Sequence, residues 1–434
     1  MPEKMLNVMP PALREAAALR IKSQLIENVA PDLQRIPAGQ LNRPVVRGRL
    51  EKVLEGQKES AGLSPAVRQQ IVDSALADLV GYGPLELLLG DPSISEIMVN
   101  GPQLTFVERS GELYETDLQF ESANQLLRLI DRILGPLGRR VDADNPTADA
   151  RLPDGSRVNV AIPPVAVDGP VITIRKFGQT RLTIDNLISF GTITPYMAKF
   201  LEACVVARLN ILITGNTSSG KSTMLNILST FIPNQERIIT IEDAVELQMK
   251  QRHVVRMETK LPNVDGVGEV SVRDLVRNAL RMRPDRLVVG EVRGGETLDM
   301  LQALNTGHSG SLTTLHANSP RDAIARLETM SLMSGLDLPV SALRKQIASA
   351  IQLIVHMNRL ADGTRKATQI TEIVGTVEGD VVTQTDIYKF IQGATGTDGK
   401  IQGEIKPTGI RPMFSPRLDT AGYKLGGEYF GLGY

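Results

Sequence analysis

The sequence predicts an α/β protein with a mostly parallel sheet covered on both faces. Two observations carry that expectation. From about residue 196 to about 360, short apolar runs alternate with longer helical patterns, the signature of βαβ units. Within that stretch, residues 215–223 read Gly215-Asn216-Thr217-Ser218-Ser219-Gly220-Lys221-Ser222-Thr223, directly after the apolar run Asn210–Thr214. This is a complete G-x-x-x-x-G-K-[ST] phosphate loop, set between a buried strand and a helix.

The 434 residues suffice for two or three domains, and 42% hydrophobic with 22% charged residues is ordinary for a globular chain. A net charge of −1 gives no global pull toward nucleic acid or acidic lipid. The single cysteine, Cys204, excludes an internal disulfide framework and a Cys₄ zinc site, and its apolar surroundings make it a core residue. No window approaches the roughly 18 uncharged apolar residues that span a bilayer, and the start lacks a signal pattern. The expectation is a protein that stays in the reducing compartment where it is made.

Residues 1–80 are expected to form a small helical module, with helices over Leu13–Ile26, Val45–Leu54 and Pro65–Leu79, interrupted at Ala30-Pro31 and Ile36-Pro37. Arg20, Lys22, Arg35, Arg43, Arg47 and Arg49 make it locally basic, either as a solvated face or as a docking surface. Residues 81–177 form an α+β unit. Its strands fall at Ile94–Val99, Leu104–Arg109, Ala150–Leu152, Arg157–Ile162 and Val171–Lys176, with a helix over Ala123–Leu134. Residues 178–195 suit a linker. In the core unit, 196–360, strands fall at Asn210–Thr214, Arg237–Glu242, Arg286–Glu291, Ser311–Leu315 and Leu353–Met357. Helices are expected over Lys221–Phe231, Val272–Arg283, Thr297–Leu304, Pro320–Ser331 and Ser341–Ser349. Residues 361–434 read as a hairpin, Gln369–Phe390, and a Gly-rich tail.

Gly215 and Gly220 permit the backbone turns that aim successive N–H groups at an anion, and the helix terminus adds positive potential. Lys221 can reach the β/γ-phosphates and the Ser222 hydroxyl can hold Mg²⁺. Hydrolysis further requires a metal shell, a positioned water and cationic charge on the transferring phosphoryl group. Candidates stand at strand ends. Glu291 follows Leu287-Val288-Val289-Gly290, with Gly290 where many phosphate-loop enzymes place the Mg²⁺-binding Asp. Glu242, Asp243 and Glu246 follow another strand, either on a solvated turn or around a cation that relieves their repulsion. His308 and His316 flank a third strand and could bond a γ-phosphate; no clustered third ligand supports zinc. Arg273, Arg277, Arg281, Arg283 and Arg286 crowd one helix and its following strand, while Arg157 and Arg175 lie on strands of the preceding unit.

Together, Gly215–Thr223, Ile241–Asp243, Val289–Arg293 and Thr306–His316 resemble the Walker A, Asp box, atypical Walker B and His box of the secretion-system traffic ATPases. These are motors of type II and type IV secretion and of type IV pili. Gly81–Glu86, Glu96–Gly101 and Ile172–Lys176 look like the CpaF/TadA branch, motors of the tight-adherence (Tad) pilus. The resemblance runs from about 75 to 390. It implies a RecA-like phosphate-loop ATPase core preceded by a PAS-like α+β domain, working as a cytoplasmic homohexamer peripheral to the inner membrane. ATP and Mg²⁺ are the implied cofactors, and membrane-embedded platform proteins of a pilus or secretion system the partners, with no stable nucleic-acid contact.

By the same resemblance Lys221 grips phosphates, Ser222 holds Mg²⁺, Glu291 activates water, Glu242 supports the metal–water shell and His316 contacts the γ-phosphate. Arg157 and Arg175 fall where cationic fingers come from. Arg281 and Arg293 match family positions whose roles do not separate. Ala244 stands where the Asp box usually has Pro, which loosens a turn and leaves the acids in place. The tetracysteine zinc module of some relatives is absent. A conjugation-type or DNA-handling RecA-like translocase is the alternative; it calls for a basic pore or stacking aromatics, and only 4% of residues are aromatic, with no Trp.

Overall fold

In the computed structural model, strand-and-helix alternation resolves into two compact units, Met1–Gln179 and Thr180–Tyr434. The structure describes residues 11–33, 42–57, 60, 63–109, 111–177, 182–262, 266–396, 399 and 401–433. Arg35, the Ile36-Pro37 break and residues 178–181 of the expected linker lie outside them.

The first unit opens with α1 (Pro11–Leu33), α2 (Arg43–Gly56) and α3 (Pro65–Val80). Asn42 and Ser64 cap α2 and α3 by accepting from Val45 N and Val67 N, each beside a proline in the first turn. Leu25, Val46, Leu50, Ala75 and Leu76 close a small core between them. The basic surface expected here is largely committed within the unit. Lys22 is buried and pairs with Asp78 at 2.7 Å and Glu121 at 2.6 Å, while Arg43 pairs with Glu86 and Arg47 with Asp73. A buried cation needs such partners, so Lys22 belongs to the interior and not to a docking face.

Then come α4 (Glu86–Gly90), β1 (Ile94–Asn100), β2 (Leu104–Arg109), β3 (Glu112–Thr116), α5 (Ala123–Leu134), β4 (Thr147–Arg151), β5 (Arg157–Ala161) and β6 (Val171–Arg175). The sheet is antiparallel with order β3-β2-β1-β6-β5-β4. Leu126, Leu129, Ile130 and Ile133 of α5 pack on Ile97, Val99, Val158 and Ile172, so one sheet face is buried. Strand β3 escaped the sequence pattern because it is an exposed edge, with Leu113 62% and Tyr114 45% exposed.

The second unit runs α6 (Ile184–Ser189), α7 (Pro195–Val206), β7 (Ile211–Gly215), α8 (Lys221–Ser229), β8 (Ile238–Glu242), β9 (Val254–Glu258), α9 (Val272–Ala279), β10 (Arg286–Val289), α10 (Glu296–Asn305) and β11 (Leu312–His316). It continues α11 (Pro320–Leu332), α12 (Val340–Ala350), β12 (Leu353–Arg359), β13 (Arg365–Glu378), β14 (Val381–Thr395), β15 (Ile401–Pro407) and α13 (Ser415–Thr420). The nine strands order as β15-β14-β13-β12-β7-β11-β10-β8-β9. From β12 to β9 neighbours are parallel; β12 to β15 form an antiparallel meander. Alternate residues of β7 serve the two faces: Ile211 and Ile213 pack toward α7 and α8, Leu212 toward α10 to α12.

Several expectations shift: α1 runs through the expected Ala30-Pro31 break to Leu33, and α6 occupies part of the expected linker. Helix α9 stops at Ala279, before Arg283 turns left-handed (φ +54°) ahead of Pro284. Strand β10 ends at Val289, so Glu291 stands on the loop beyond it. The segment expected as a Gly-rich tail instead folds back. Phe414, Leu418, Leu425 and Phe430 join the core, with Phe430 edge-on to Phe200 at 5.9 Å. No helix among the described residues is long and apolar enough to cross a membrane.

Candidate functional site

Strand β7 delivers the chain into the loop at Gly215, whose φ of +148° only glycine adopts freely. A Cβ there would lie 2.1 Å from the Met357 carbonyl oxygen. Gly220 (φ +95°) makes the turn into α8, where Lys221, Ser222 and Thr223 form the first helical turn. The Lys221 ammonium donates to the Asn216 carbonyl at 2.9 Å and lies 3.4 Å from His316 Nδ1. Burial holds its pKa below the usual lysine range; Glu291 opposes that shift and Arg293 adds to it.

Parallel register brings the other candidates to the same end of the sheet. Gly215 pairs with His316, and Val289 pairs with Ile241 on one side and Thr313 on the other. Glu291 Oε1 lies 2.9 Å from His316 Nε2, and its Oε2 accepts from Arg293 at 2.7 and 3.1 Å. Arg293 also reaches Asp243 at 3.2 Å. A continuous chain of contacts thus runs Lys221–His316–Glu291–Arg293–Asp243. Burial depresses the His316 pKa; Glu291 opposes the shift, while Lys221, Arg293 and Arg326 reinforce it. In a neutral imidazole Nδ1 can accept from Lys221, while Glu291 Oε1, close to Nε2, is buried without a hydrogen-bond partner among the described residues.

Glu242 is 4% exposed. Its Oε2 accepts from the Glu246 and Leu247 N–H groups at 2.7 and 2.9 Å, while Oε1 is buried with no partner among the described residues. Burial pushes its pKa up to about 7, against those two hydrogen bonds and with Glu246 and Glu258 adding repulsion. Gly290 explains how the side chain fits, since a Cβ there would sit 3.0 Å from Glu242 Cγ. Asp243 pairs with Arg293 through Oδ2, and Glu242 Oε1 is the oxygen of this cluster that is buried without a partner among the described residues.

Beside this chain of contacts lies a cavity of about 690 Å³, lined by Asn216, Thr217, His316, Ala317 and Asn318 and by Asp322, Ala325, Arg326 and Thr329 of α11. Those α11 positions follow helical spacing on one exposed face, a signal that could have singled out Arg326. Also missed was His356, buried on β12 with Nδ1 2.9 Å from Thr214 Oγ1, just before the loop.

Other candidates are not gathered here. His308 stands at the amino end of β11, Nδ1 3.2 Å from the Ala303 carbonyl, where it closes α10. Its expected γ-phosphate contact is corrected to a helix-terminal one, because His308 and His316 occupy opposite ends of one strand. Arg281 is exposed in the turn after α9, at the amino end of β10. Arg273 and Arg277 both grip Asp299, at 2.7 and 2.8 Å. In the first unit, Arg157 and Arg175 face each other across β5 and β6, and Arg151 of β4 continues the row. Register, invisible in the sequence, makes a ladder of three arginines ended by Glu96, whose carboxylate is 3.9 Å from Arg175 Nε.

Residues 78–401 match the family model described as type II/IV secretion system protein. A Mycobacterium tuberculosis protein named for conjugal transfer is 37% identical over 310 residues, covering 70% of this chain and 87% of that one. The type IV secretion system protein VirB11 of Bartonella quintana is 31% identical over 328 residues, 66% of this chain and 90% of its own. Among solved structures, the VirB11 ATPase from the Brucella suis type IV secretion system is 28% identical, over 66% of this chain and 94% of that chain, with a TM-score of 0.37.

Proposed function

This chain belongs to the type II/IV secretion system protein family, and from that premise we propose an ATP-hydrolysing motor. It works as a cytoplasmic homohexamer peripheral to the inner membrane. Hydrolysis drives motion of its two units and powers assembly of a Tad or type IV-like pilus, or secretion, through membrane-embedded platform proteins. The observation that carries the proposal is the contact chain from Lys221 through His316 and Glu291 to Arg293, assembled beside an open cavity at the phosphate loop.

The residues divide the work. Lys221 exchanges the Asn216 carbonyl for phosphate oxygens. Glu291, held by His316 and Arg293, accepts a proton from the attacking water. His316 Nε2–H, near Glu291 Oε1, donates to the γ-phosphate and so reports its presence. Arg157 and Arg175, with Arg151 in register, supply the cationic fingers. The donors suit Mg²⁺, because Ser222 and the unpartnered Glu242 oxygen offer the oxygen ligands that cation takes. Ser222, with Glu242 and Glu291 directly or through water, would hold Mg²⁺, which would supply charge neutralisation on the phosphate oxygens.

Steady-state ATPase rates of wild type and Glu291→Gln test the proposal; equal rates would sink the catalytic assignment. A DNA-handling translocase is the second possibility, favoured by the conjugal-transfer name of the mycobacterial relative. Salt-sensitive binding to single-stranded DNA would support it over the pilus motor.

A further inference from the structure

Strand β12 and the start of β13 form a hairpin against the phosphate loop. Its turn is fixed: the Asp362 carboxylate accepts from Thr364 N and Oγ1 at 2.9 and 2.7 Å and from Ile401 N at 2.7 Å. At the first β13 position, Arg365 Nε donates to the Ser218 carbonyl at 2.9 Å. Its Cδ passes 3.4 Å from where a Gly220 Cβ would be, so the guanidinium stem lies along the loop. Ser218 has φ +59°, a left-handed conformation uncommon for a serine, and it is the residue whose carbonyl Arg365 holds.

A trans peptide is planar, with C=O and N–H on opposite sides. Anchoring the Ser218 carbonyl on Arg365 therefore turns the Ser219 N–H to the far side, into the loop. There it donates to the Asn216 carbonyl at 3.3 Å, the same oxygen that Lys221 Nζ binds at 2.9 Å. Two donors converging on one oxygen mark the position a phosphate oxygen would take.

Resting on the nucleotide-binding function proposed above, we infer that Arg365 is a positioning residue: it orients the 218–219 peptide so that Ser219 N–H faces the anion. Arg365 acts through the loop and touches no phosphate. Its effect falls on every nucleotide whose phosphates sit in the cradle, ADP and ATP alike.

The test is equilibrium binding of fluorescent ADP and ATP analogues to the full chain, with Lys221→Ala as the control that abolishes binding. Arg365→Met is expected to weaken both nucleotides about tenfold, the scale of one hydrogen bond from a charged donor. Arg365→Lys, which keeps a donor and the charge, recovers most of that affinity. Wild-type affinity in Arg365→Met overturns the inference. So does a loss confined to ATP, which would mean direct γ-phosphate contact, and so do equal losses in the Met and Lys variants, which would mean lost packing. Failure of the wild type to bind either analogue would sink the nucleotide-binding proposal itself, and this inference with it.

Discussion

The two ends of the parallel sheet both gather charge, and they treat it in opposite ways. At the amino end, Arg286 is wholly buried. It donates to Glu236 at 2.5 and 3.1 Å and to the Val205 and Gly310 carbonyls at 2.9 Å each. Gly310 has no side chain because a Cβ would fall 2.0 Å from the guanidinium. At the carboxyl end, Glu242 keeps an oxygen without a partner, and Lys221 shares a carbonyl with a backbone N–H. Saturated charge holds a fold together. Charge left short of partners is available to a ligand.

The contrast is broken most severely by Arg286→Ala, which takes a wholly buried guanidinium from Glu236 and from the Val205 and Gly310 carbonyls and leaves Glu236 to the exposed Arg208 at 3.0 Å. We expect a loss of about 3–5 kcal/mol in denaturant unfolding, with unchanged nucleotide affinity in whatever remains folded. A loss under about 1 kcal/mol would refute the division of labour. Next, Glu291→Gln should lower turnover about 100-fold or more while shifting the melting temperature little. Stability and activity are expected to separate cleanly between the two ends.

Glu242→Gln sharpens the comparison because its sign reverses. The folded-state pKa of Glu242 is raised from 4.5 to about 7. The native state therefore holds the proton more tightly than the unfolded chain. The group's favourable contribution is complete below about pH 4.5 and disappears as pH rises through about 7. Gln keeps an acceptor for Glu246 N and Leu247 N without the charge. Melting curves should show the variant gaining on wild type as pH rises, up to about 3 kcal/mol by pH 8. A pH-independent difference would mean that Glu242 is not an isolated buried charge. Smallest of all, His308→Asn should cost about 1 kcal/mol or less and leave turnover intact, whereas His316→Asn should reduce turnover about tenfold, measured side by side.

Much of the carboxyl end was legible in the sequence because its determinants are local. The phosphate loop is contiguous, and Glu291, Arg293 and His316 each fall in or within four residues of an apolar strand. What escaped depends on register or on folding back. Arg286 looks like one more surface arginine until Glu236, fifty residues away, is placed beside it. His308 and His316 look equivalent until the strand between them separates the sheet's two ends. Arg151 joins Arg157 and Arg175 only through pairing across β4, β5 and β6. The C-terminal aromatics gave no periodic signal because Phe414 and Phe430 reach Phe200 from a short helix and loops.

Gly290 carries one more consequence. A Cβ at 290 would sit 3.0 Å from Glu242 Cγ and 3.5 Å from Glu242 Cβ, on the neighbouring strand. A side chain at 290 is therefore accommodated only if Glu242 gives way by a few tenths of an ångström, so positions 242 and 290 compete for volume. In aligned relatives, a side chain at 290 should occur only where 242 has shortened, and the carboxylate should be found on one strand or the other. That covariation is countable, and it would identify the two strands as interchangeable mounts for one acid.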